Sequence, residues 1–85
     1  MPHSKGDDIY RANRRRSVAL NGHKTSVSLE QDYWECLIMI ARARNSTVAD
    51  LIAAIDAERV NPNLSSALRL LVLREAKAGR LGPGP

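Results

Sequence analysis

The side chains in this 85-residue sequence whose types and spacing could do chemistry are cationic. Arg14, Arg15 and Arg16 are consecutive, Lys24 follows shortly after, and no acid lies between residues 11 and 29. Of the net charge of +4, residues 1–29 hold six basic against two acidic side chains, and residues 30–85 hold seven of each. The excess is confined to the first third of the chain. Guanidinium and ammonium groups gathered this way neutralise phosphates, which points to a polyanion partner, nucleic acid first and an anionic membrane surface second. A solvated basic tail that aids solubility is the plain alternative.

Other chemistries find no residues to carry them. Cys36 alone closes no intrachain disulfide. His3, His23 and Cys36 make no metal-ligand spacing, so no metal or cofactor is expected. Asp7 and Asp8 have no recognisable acid–base partner, and there is neither a nucleophile–base set nor a phosphate-cradling glycine loop. No catalytic residue is assigned, and no enzyme is expected. No apolar run approaches the roughly 20 residues that span a membrane, and residues 1–15 lack the apolar stretch of a secretory signal. A reduced, cytoplasmic protein with no membrane contact is expected.

The elements that must hold the cations are legible in the periodicities. Across residues 17–29 the period is two: Val18 and Leu20 alternate with Ser17 and Ala19, and Thr25, Val27 and Leu29 with Lys24, Ser26 and Ser28. Asn21-Gly22 between the two runs is a hairpin signal, because a type I′ turn needs φ > 0 at both central residues. Such a turn sets Ala19 opposite Lys24 and Ser17 opposite Ser26. One face then carries Val18, Leu20, Thr25 and Val27, and the other Ser17, Lys24, Ser26 and Ser28, with Arg15 nearby. The three arginines argue instead for a flexible arm along residues 15–20, so hairpin strand and arm both stay open.

Helical spacing takes over at Glu30. Tyr33, Trp34, Leu37, Ile40 and Ala41 mark one stripe, and Asn45 can take the left-handed conformation that ends it. Thr47 and Asp50 form a variant capping box for a second helix bearing Leu51, Ile52 and Ile55. Asn63 caps a third, with Leu64, Ala67, Leu68, Leu71 and Val72 on its stripe. The organisation predicted is a disordered arm over residues 1–14, one domain over residues 15–78 and a disordered tail over residues 79–85. Within the domain a strand or hairpin covers residues 16–29, and helices cover residues 30–44, 47–58 and 63–78. A chain this short buries only about 60% of its unfolded surface, so a partner subunit is the expected remedy for a small core.

The stretch Thr25-Ser26-Val27-Ser28-Leu29-Glu30-Gln31-Asp32-Tyr33-Trp34-Glu35-Cys36-Leu37 resembles the opening of a ribbon-helix-helix domain. Ala41-Arg42-Ala43-Arg44-Asn45-Ser46-Thr47-Val48-Ala49-Asp50-Leu51-Ile52 resembles the junction between that family's helices. Asn63-Leu64-Ser65-Ser66-Ala67-Leu68-Arg69 is similar to a bacterial subfamily with an added third helix. The resemblance implies a mainly α fold with a short N-terminal β segment, assembled as an intertwined homodimer whose ribbon takes one strand from each chain. It places Thr25, Val27, Leu29, Trp34, Leu37, Leu51, Ile52 and Ile55 in the dimer core. It also implies double-stranded DNA as partner, with base contacts from Lys24, Ser26 and Ser28 and phosphate contacts from Arg14, Arg15, Arg16 and the amides of Thr47 and Val48. The function it implies is a transcriptional repressor or autoregulator. The alternatives are the antitoxin of a toxin–antitoxin pair and a protein-interaction dimer that does not bind DNA. Higher-order assembly through the third helix is a further possibility. A hairpin in both subunits would make four strands, spanning roughly 14 Å between outer axes against a major groove about 12 Å wide.

Overall fold

The computed structural model describes residues 13–81. Strands β1 (Asn13–Leu20) and β2 (His23–Glu30) form an antiparallel hairpin that runs directly into helix α1 (Gln31–Ala43). Asn21 at φ 53° and Gly22 at φ 83° make its two-residue turn, both in the left-handed region that a type I′ turn requires. The register sets Ala19 opposite Lys24, Ser17 opposite Ser26 and Asn13 opposite Glu30. Of the hairpin strand and the flexible arm left open for residues 15–20, the structure has the hairpin strand, closed by the Asn21-Gly22 turn.

The hairpin starts at Asn13, earlier than alternation alone indicates. The Trp34 indole N–H donates to the Arg14 carbonyl at 2.9 Å, and the Arg16 guanidinium lies 5.0 Å from the centroid of the same ring. These contacts hold Asn13 and Arg14 in strand, though both fall in the stretch expected as an arm. The rest of that arm, residues 1–12, lies outside the described residues.

Helices α2 (Val48–Glu58) and α3 (Leu64–Lys77) complete the fold. Asn45 at φ 54° ends α1, with the Ser46 amide reaching back to the Ala41 carbonyl at 2.8 Å and the Asn45 amide to Arg42 at 3.1 Å. The Thr47 hydroxyl caps α2 by accepting from the Asp50 amide at 3.0 Å, and Asn63 caps α3 by accepting from the Ser66 amide at 3.1 Å. Gly79 at φ 75° ends α3 in the same manner as Asn45, with the Arg80 amide bonded to the Glu75 carbonyl at 2.9 Å. This turn, and Leu81 packed on the core, give order to the start of the stretch expected as a frayed tail. Residues 82–85 of that stretch lie outside the described residues.

One core joins all five elements: Val18 and Leu20 from β1, Val27 and Leu29 from β2, Trp34, Leu37, Ile40 and Ala41 from α1, Leu51 and Ile52 from α2, and Leu68, Leu71 and Val72 from α3. Leu29, Leu37, Ile52 and Leu68 are completely enclosed, each worth about 1.5–3 kcal/mol of burial. Of the residues expected in a dimer core, Val27, Leu29, Trp34, Leu37, Leu51 and Ile52 are buried within the single chain, and Thr25 and Ile55 are half-buried. The third helix makes this possible by packing against α1, α2 and β2.

Candidate nucleic-acid interface

Side chains alternate across a strand, so the register divides the hairpin into two faces. Val18, Leu20, Val27 and Leu29 point into the core. Arg15, Ser17, Ala19, Lys24, Ser26 and Ser28 share the opposite, outer face. Lys24 and Ser26 are exposed there, as are Arg15 and Ser17, while Ser28 is half-buried. The Ser28 carbonyl accepts from the Ser65 hydroxyl of α3 at 3.0 Å, which brings the third helix against this end of β2.

The arginine run is divided by the same alternation. Arg14 and Arg16 share the core-side parity with Val18 and meet Trp34, Arg14 through its carbonyl and Arg16 through its guanidinium. Arg15 alone stands on the outer face with Lys24. Glu30, the acid at that end of the ribbon, is engaged by Arg69, whose guanidinium donates to its carboxylate at 2.8 and 3.0 Å. Glu30's own backbone N–H and Arg69 hold its carboxyl below the usual carboxylate range. Arg69 in turn lies 5.6 Å from the Tyr33 ring centroid. Among the described residues no acid forms an ion pair with Arg15 or Lys24. The outer face is therefore positive.

The second expected anchor is the start of α2. The first amides of a helix have no intrahelical partner and point outward with positive potential, which suits a phosphate. Thr47 is exposed and Val48 half-buried. The Asp50 amide is already taken by the Thr47 hydroxyl, and the Asp50 carboxylate in the first turn competes with any anion there. Packing of α2 against β1 makes the ribbon and this helix start one body.

Arg15 stands where the alternation put it, beside Ser17, Lys24, Ser26 and Ser28. One feature escaped the sequence pattern: Glu75, a buried acid on α3. Arg80 grips its carboxylate at 2.9–3.0 Å and Arg44 approaches to 3.5 Å. Hydrogen bonds from Arg80, with the added charge of Arg44, hold the Glu75 carboxyl below its ordinary value. No local spacing could have announced that cluster. Cys36 is half-buried, and burial together with Asp32 and Glu35 pushes its thiol up, away from the nucleophilic thiolate.

A positively charged antiparallel ribbon followed by capped helices is the architecture of a known family. The ribbon-helix-helix domain matches residues 13–76, which takes in the hairpin and all three helices. The chain belongs to the ribbon-helix-helix domain family, whose members are typically DNA-binding regulators. Among solved structures it is similar to an uncharacterized protein from Bordetella pertussis Tohama I, with 31% sequence identity and a TM-score of 0.70 over 89% of this chain and 70% of that one. The comparison with curated proteins gives no match. Among the described residues no helix is long and apolar enough to cross a membrane.

Proposed function

We propose that the protein is a homodimeric, double-stranded-DNA-binding transcriptional regulator, a repressor or autoregulator acting in the cytoplasm. One observation carries this reading: the outer face of the ribbon is exposed, positive and free of paired acid among the described residues. Lys24 offers a donor to guanine O6 or N7 or to a phosphate, and Ser26 and Ser28 donate or accept. The major groove is contacted through a two-fold β-ribbon with one strand from each subunit; two strands about 4.8 Å apart fit a groove about 12 Å wide. Arg14, Arg15, Arg16 and the amides of Thr47 and Val48 hold phosphates on either side.

An antitoxin usually carries a disordered toxin-binding tail. Here α3 packs over the core through Leu68, Leu71 and Val72, which weighs against that alternative. Leu70 and Leu73, exposed on α3, favour the second reading, a protein-interaction dimer that does not bind DNA.

The test is the salt dependence of duplex binding. Lys24 and the three arginines offer four cations per chain, hence eight per dimer. If about four to six neutralise phosphates, the log–log slope of affinity against salt lies between about −3.6 and −5.4. Affinity that is flat from low to moderate salt removes the DNA-binding reading.

A further inference from the structure

We propose that the groove between α2 and α3 is a self-association surface, on which a second copy of the chain packs its own α3, antiparallel, about a two-fold axis at Leu70. This contact is separate from the ribbon and does not depend on the DNA-binding reading.

Among the described residues, the exposed large apolar side chains Val60, Leu70 and Leu73 belong to α3 or to the segment that leads into it. Val60 is 99% exposed, yet its segment is held in place. Arg59 donates to the Asp56 carboxylate at 2.8 Å and to the Asn61 carbonyl at 2.6 Å, and the Asn63 amide donates to the Asn61 side chain at 2.8 Å. These bonds fix a bare valine beside a groove floored by Ile55, Ala67, Leu70 and Leu71. The groove holds about 180 Å³. Small-molecule pockets hold roughly 300–1,000 Å³, so this one suits side chains better than a ligand.

Charge names the occupant. Glu58 ends α2 and Arg74 lies near the end of α3, and both border the groove. Both are exposed, and among the described residues neither forms an ion pair. In an isologous contact the same patch serves both copies, so it has to complement itself. Helix α3 rises about 1.5 Å per residue, so an antiparallel crossing at Leu70 sets Leu73 of each copy level with Ala67 of the other. A large side chain then meets a small one, as ridge-into-groove packing requires. The same crossing sets Arg74 level with Ser66 of the other copy, at the end where α2 gives way to α3 and Glu58 stands. One two-fold operation therefore matches apolar to apolar and acid to base at both ends. A foreign helix would have to supply an acid and a base in that order; a second copy always carries them. In a ribbon dimer each subunit keeps one such groove, so the contact joins dimers into larger assemblies.

The experiment is sedimentation velocity of the full chain over a concentration series. The wild-type chain should pass from the ribbon dimer to a larger species as concentration rises. Leu70→Asp and Leu73→Asp, both at exposed positions, should weaken that step at least about tenfold while circular dichroism stays unchanged. Glu58→Arg or Arg74→Glu alone should weaken it about two- to thirtyfold, through two exposed pairs per contact, and the double variant should recover it. A residue on the axis faces its own counterpart, so oxidised Leu70→Cys protein in a Cys36→Ser background should link two chains through residue 70. If the wild-type chain never exceeds a dimer and residue 70 forms no link, the groove belongs to another protein and the inference is overturned. Assembly indifferent to both aspartate variants, or not recovered by the double charge reversal, overturns it as well. Failure of the wild-type chain to bind duplex DNA would remove the DNA-binding reading and leave this contact standing.

Discussion

On the outer face of the hairpin Arg15 and Lys24 stand without an acid partner among the described residues, whereas at the C-terminal end of α3 Arg80 and Arg44 close on one buried carboxylate, Glu75. The same side-chain type has two employments. From Glu30 onward, basic and acidic residues balance in number, and the structure turns much of that balance into contacts: Arg69 with Glu30, Arg59 with Asp56, and Arg44 and Arg80 with Glu75. Arg69–Glu30 and Arg44–Glu75 tie separate elements together, while Arg59–Asp56 and Arg80–Glu75 fasten the ends of α2 and α3. Among the described residues the cations on the outer face of the ribbon, Arg15 and Lys24, tie nothing together. Charge satisfied inside the molecule serves the fold; charge left unsatisfied on a flat, exposed ribbon is available to a phosphate or a base edge.

The most severe way to break this contrast is to remove the scaffold that both regions share. Leu29 is completely enclosed under the ribbon. Leu29→Asp buries a charge with no partner, costing more than a small domain of about 5–15 kcal/mol stability readily tolerates, so cooperative thermal unfolding followed by circular dichroism should disappear. Trp34→Ala comes next, with an expected loss of about 3–5 kcal/mol in urea unfolding. It also removes the donor to the Arg14 carbonyl and the ring beneath Arg16, so amide exchange in β1 should accelerate more than in α3. Equal acceleration in both would show that Trp34 does not anchor the ribbon in particular.

The Glu75 end is tested by pH. A carboxyl whose pKa is lowered on folding contributes stability above its unfolded pKa and loses it as pH falls through the folded value. Stability should therefore decline with acidification below the ordinary carboxylate range, and Glu75→Gln should flatten that decline in urea midpoints taken across a pH series. Glu30 is shifted the same way by its own amide and Arg69, so some slope should survive in the single variant and fade further when Glu30→Gln is added. An unchanged slope in Glu75→Gln would exclude Glu75 as an acid-sensitive tie.

The smallest effect on stability sharpens the contrast most. Arg15→Ala removes an exposed side chain with no internal acid partner among the described residues, so unfolding should move by less than about 0.5 kcal/mol. A larger loss would mean that Arg15 supports the fold after all.

Much of this was legible in the sequence, because it depends on residues close together in the chain. Alternation around Val18, Leu20, Val27 and Leu29 specified which strand face is covered. Asn21-Gly22 specified a turn that few other pairs can adopt, and Thr47, Asn63 and Asn45 marked helix ends through hydrogen bonds spanning only a few residues. Only the tertiary structure decided where the chain brings distant residues together. Trp34 reaches back to the start of β1, Ser65 and Arg69 cover the end of β2, and Glu75 gathers an arginine from the end of α1 and another from the turn after α3. Local pattern is silent on such contacts, because the partners' separation along the chain carries no periodicity. They exist because the packed core sets the distances between the elements, and that core also turns three adjacent arginines to two different faces.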